Sequence, residues 1–83
     1  MYNTPILSAM AIVTDFLASN PSPEQILAYK FPDPLQARLD ELLELNGEEA
    51  LNNEQEIELD EIVQMDEMLT LLKAKVKLAK RGK

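Results

Sequence analysis

The sequence predicts an all-α fold: a small bundle of three to four helices, in which one long C-terminal helix is backed by two shorter helices. Three observations predict it. Thr4-Pro5, Ser22-Pro23 and Asp33-Pro34 each place a capping oxygen before a proline. Proline suits the first helical turn, where its missing N–H would be unbonded anyway. In the last third of the chain, Ile62, Met65, Leu69, Leu72, Val76 and Ala79 recur at alternating spacings of three and four. That is the seam of a helix lying on a partner surface. Finally, no segment alternates β-branched and polar residues, so no sheet is expected.

The elements follow in order. Thr4-Pro5 opens a first helix at about 5–19. Ser22-Pro23-Glu24-Gln25 opens a second at 23–29, with Gln25 placed to close a capping box. Phe31-Pro32 interrupts the chain, because a proline disfavours helical backbone at the residue before it. Asp33-Pro34-Leu35-Gln36 then opens a third helix at 34–45, closed by Asn46-Gly47, where glycine accepts a left-handed end. Asn52, with Gln55 three residues on, caps a fourth helix at 53–81. At 1.5 Å per residue the fourth helix is ~42 Å long, against ~18 Å for the third and ~22 Å for the first. The short third-to-fourth connection makes those two antiparallel neighbours. Leu35, Leu39, Leu42 and Leu43 are expected to meet Ile57, Leu59, Ile62 and Val63. The first helix is expected to cover the rest of the fourth, offering Ile6, Met10, Val13, Phe16 and Leu17 to Leu69, Leu72 and Val76.

Composition excludes several functions. Eighty-three residues make one small helical domain (1–83), which buries only about 60% of its unfolded surface. Cysteine is absent, which removes disulfides and thiolate chemistry and suits a reducing cytoplasm. Histidine is absent as well, and with it the usual proton shuttle and commonest metal ligand. A net charge of −7 argues against a general nucleic-acid-binding surface. The apolar run at 5–18 carries Ser8, Thr14 and Asp15 and is too short to span a bilayer, so no membrane association is expected.

No constellation carries catalysis. The serines and threonines have no histidine base, and Gly47 and Gly82 cannot form a glycine-rich phosphate loop. The acidic stretch 54–67 lacks the central glycine of a calcium loop and the Glu-x-x-His pairs of a di-iron bundle. It reads as a solvated face near a helix start. No cofactor, metal or small-molecule ligand is expected, and the protein is expected not to be an enzyme.

Charge is split along the fourth helix. Residues 33–67 hold thirteen of the fifteen acids and one base, Arg38; residues 68–83 hold six of the eight bases and no acid. Beside the main seam, Met68, Leu71 and Leu78 form a second apolar stripe, with Lys75 inside it. Eighty-three residues hardly supply neighbours for both stripes, so a partner protein or self-association as a homodimer is expected. Met68, Leu71, Lys75 and Leu78 would make the apolar contact. Lys73, Lys77, Lys80 and Arg81 would steer a charged partner. The alternatives are a small nucleic-acid-associated regulator using the basic end, and a freestanding structural homodimer.

Residues 35–80 join a leucine-rich helix, a Leu-Asn-Gly end, an Asn-Asn-Glu-Gln start and a Leu-Leu-Lys-Ala-Lys ending. This pattern resembles a group of small all-helical bacterial proteins, mainly cyanobacterial. Some of them look antitoxin-like, and the resemblance implies a protein partner. Members often carry histidine after the aspartate, where this chain has Glu67, so no role of that histidine transfers.

Overall fold

The computed structural model describes residues 8–81, and all of their regular structure is helical. The chain order is α1 (Ala9–Ala18), α2 (Pro23–Ala28), α3 (Asp33–Gly47) and α4 (Asn53–Arg81). The expected all-α bundle is therefore observed, with four helices and a long last one. Among the described residues no helix is long and apolar enough to cross a membrane.

Two starts form as the side chains dictate. At α2, Ser22 Oγ accepts from the Gln25 N–H while Gln25 Oε1 accepts from the Ser22 N–H. At α4, Asn52 and Gln55 make the same reciprocal pair. The starts of α1 and α3 are built differently. Thr4-Pro5 lies outside the described residues. Ser8 is extended, and its hydroxyl accepts from the Ala11 N–H, so α1 starts at Ala9. Asp33 is the first residue of α3 and makes no cap, and Gln36 donates forward to Asp40 instead of closing a box.

The helix ends also shift. Gly47 is the last residue of α3 and does not adopt positive φ; Glu49, two residues later, takes it at 57°. The Glu49 N–H reaches the Asn46 carbonyl and the Ala50 N–H reaches that of Leu45. These two bonds make a Schellman end with glutamate at the position that favours glycine. At α1 the left-handed residue is Asn20, and Pro21 supplies no N–H for the second bond. Tyr29 closes α2 and lies outside it.

Helix α4 is the common support on which α1, α2 and α3 all pack. Helix α3 runs antiparallel to it: Gln36 lies near Asp66 and Thr70, whereas Asn46 lies near Glu56 and Leu59. Helix α2 continues antiparallel along the basic half, with Glu24 bonded to Lys80 and the Tyr29 carbonyl to Lys73. The two helices laid end to end are therefore α2 and α3. Helix α1 lies along the second half of α4, as expected, but beside α2 and not end to end with α3. Its first turn is bonded to Glu61, and Phe16 in its last turn stacks on Tyr29 at a centroid separation of 4.2 Å, so it runs parallel to α4 from its middle onward.

The core is correspondingly central and small. Ala9, Leu35, Leu42, Leu59 and Ile62 form one buried cluster, with Ile12, Leu39, Leu51, Val63 and Met65 packed around it. Val13 and Leu69 are buried as well. Three residues expected in the core are exposed: Leu43, Ile57 and Met10. On α1 the inward arc is Ala9, Ile12 and Val13, placing Ile12 inside and Met10 outside. The Cα atoms span 48 × 30 × 18 Å, the thickness of two helix layers.

Candidate docking surface

The supports of α4 are held by polar contacts that the sequence conceals. Arg38 on α3 donates through Nε and Nη2 to both carboxylate oxygens of Glu58, each at 2.8 Å. This two-pronged pair is half-buried, and the guanidinium holds the Glu58 carboxyl below its ordinary pKa while its own pKa is raised. Glu61, read above as part of a solvated acidic face, accepts from the Met10 N–H at 3.1 Å and from Ser8 Oγ at 3.3 Å. A carboxylate from one helix thus meets the positive end of another. No spacing rule reveals either pair, because the partners are 20 and 51 residues apart.

With α1 fastened at Glu61 and α3 lying toward Leu59 and Val63, one arc of α4 is left uncovered. On it, Ile57, Leu71 and Leu78 are 70%, 57% and 65% exposed. Ile57, Gln64, Leu71 and Leu78 are spaced seven apart, so they form one line along the helix. Met68, beside this line, is half-buried; Lys75, Asp60 and Glu67 flank it and are exposed. Of the apolar stripe expected at Met68, Leu71, Lys75 and Leu78, the two leucines are exposed, and Ile57 lies in register with them two heptads toward the helix start. Sequence reasoning missed Ile57 by assigning it to the α3 contact. Its place in the register with Leu71 and Leu78 was the available signal.

Two of the four basic residues expected to steer a partner are engaged within the fold. Lys73 Nζ donates to the Tyr29 carbonyl at 2.7 Å. Lys80 Nζ donates to Glu24 at 3.1 Å and lowers the pKa of that exposed carboxyl. Both therefore fasten α2 to α4. Lys77 and Arg81 are exposed.

Two concavities among the described residues are small. One of about 200 Å³ lies among Tyr29, Phe31, Asp66, Thr70 and Lys73, and another of about 270 Å³ lies where α3 turns into α4. Both fall below the range of about 300–1,000 Å³ usual for small-molecule sites. Beside the first, the Tyr29 hydroxyl is buried with no hydrogen-bond partner among the described residues, and burial raises its pKa. Among the described residues no group of three or more carboxylates, histidines or cysteines is placed to hold a metal ion. No family model, curated protein or solved structure matches this chain.

Proposed function

We propose that the protein is a non-enzymatic helical docking module whose working surface is the outward line of α4. The observation that carries this reading is the exposure of Ile57, Leu71 and Leu78 in one heptad register on the best-supported helix of the molecule. Large apolar residues scattered singly over a surface need no explanation. Three in register, on a helix held from behind by three others, form a rigid rib of the kind that packs against another helix. Lys75, Asp60 and Glu67 beside the line would fix the orientation of whatever docks.

The committed contacts of Lys73 and Lys80 weaken the nucleic-acid alternative, because phosphate binding would have to displace them from Tyr29 and Glu24. An antitoxin-like role would be one instance of the docking reading. The test compares affinity capture from the native host with wild type and with Leu71→Glu, matched for helicity. The expected result is a partner held by wild type and lost on substitution. Equal capture by both proteins would remove the stripe from the function.

A further inference from the structure

The occupant of the α4 line follows from its symmetry. Around the midpoint between Glu67 and Met68, Ile57 and Leu78 are equidistant, and so are Gln64 and Leu71. The same midpoint relates Asp60 to Lys75 and Glu54 to Arg81, and all four of these charged residues are exposed. An antiparallel copy of α4 related by a two-fold axis through that midpoint therefore sets Ile57 at the level of the other chain's Leu78, Gln64 at the level of Leu71, and an acid at the level of a base twice over. Each juxtaposition occurs twice, as a self-complementary interface requires. We propose that two copies of this chain pair antiparallel through the outward line of α4. This rests on the docking reading above and adds the partner and its direction.

Three features favour a second copy. Charge is complementary in the antiparallel arrangement only: a parallel pair would set Asp60 against Asp60 and Lys75 against Lys75. The apolar positions keep a seven-residue repeat, the period at which two helices remain in contact by coiling around each other. The surface is also open, since Ile57, Leu71 and Leu78 stay more than half exposed with α1, α2 and α3 all packed on α4. One feature opposes pairing. Glu67 falls beside the axis, near its own counterpart, so a single like-charge contact weakens the dimer.

The absence of cysteine makes direction directly measurable. Ile57→Cys and Leu78→Cys are prepared separately, each at an exposed position, and oxidised alone and mixed. In the antiparallel pair, Ile57 lies ~30 Å along the axis from its own counterpart, far beyond disulfide reach. The expected result is a disulfide between the two variants in the mixture and none between identical chains. Cross-linking of identical chains alone would overturn the proposal in favour of a parallel pair.

A second arm needs no cysteine. Wild type is expected to sediment as a dimer at high concentration, Asp60→Lys and Lys75→Asp each alone as monomers, and their equimolar mixture as a dimer again, because only the mixture restores opposite charges at both levels. Glu67→Gln is expected to tighten the wild-type pair several-fold. A wild-type chain that stays monomeric at high concentration overturns self-pairing. If capture from the host still depends on Leu71 in that case, the docking reading survives with a different occupant; if it does not, both fail.

Discussion

At the scale of the residue, the informative positions are the two at the end of α3. Gly47 occupies a helical site with open space where a Cβ would sit, while Glu49 holds the left-handed backbone. The residue best suited to each position stands at neither. Gly47→Ala should stabilise the fold by about 0.5–1 kcal/mol, because glycine inside a helix loses more conformational freedom on folding than alanine. Glu49→Gly should stabilise by a similar ~1 kcal/mol by relieving the Cβ conflict of the left-handed state. Thermal melts of both single variants check this. A drop in melting temperature for Gly47→Ala would return the chain reversal to Gly47. Sequence reasoning placed the turn there because Asn-Gly is the strongest local signal in the segment. Backbone bonds from Glu49 and Ala50 decided otherwise, and they depend on where the Leu51 side chain packs, which local composition does not encode.

At the scale of the element, reciprocal caps were legible and inter-helix anchors were not. Ser22/Gln25 and Asn52/Gln55 act within four residues, so their spacing alone announces them. Ser8 was hidden because a stronger signal, Thr4-Pro5, stands just before it. Helices α2 and α3 needed the fold before their end-to-end placement showed, since helix length alone allowed α1 to take that position. The Arg38–Glu58 pair joins α3 to α4 and makes stability depend on acid. The Glu58 pKa is lowered in the folded chain, so the pair's contribution is fully present above the unfolded carboxylate value of about 4.3 and disappears as pH falls through the lower folded value. Glu58→Gln should therefore lower stability at neutral pH and flatten its decline at acid pH. Denaturant titrations of both proteins from pH 7 down to about pH 3 test this. Parallel pH profiles for the two would mean that other carboxylates govern acid unfolding.

At the scale of the molecule, a core of few buried side chains meets a surface with apolar residues to spare. Sequence pattern assigned Ile57 and Ile62 to the same contact; the structure buries Ile62 and leaves Ile57 outside. Ile62→Ala should cost about 2–5 kcal/mol, a large share of the 5–15 kcal/mol that holds a typical domain together. Ile57→Ala should cost no more than about 0.5 kcal/mol in the isolated chain, because little of it is removed from water on folding. Urea midpoints measured at low protein concentration separate the two. A large loss for Ile57→Ala would place that side chain back under α3. The periodic seam of α4 was readable because the main core repeats at helical spacing. The division of its second stripe between covered and open positions was not readable, because it depends on the angles at which α1 and α3 lie.

The tether between Glu61 and the first turn of α1 has a consequence for the order in which the fold assembles. The segments it joins lie 51 residues apart, and the middle of α4 is made long after α1. At roughly 5–20 residues per second, α1 waits about 3–10 s during synthesis for the surface that receives it. In that interval α3 and the start of α4, joined by a short turn, are free to form the local part of the core. The chain's first described helix thus waits for the middle of α4, and Ile12 and Val13 stay unpacked until the carboxylate that anchors its first turn has been added.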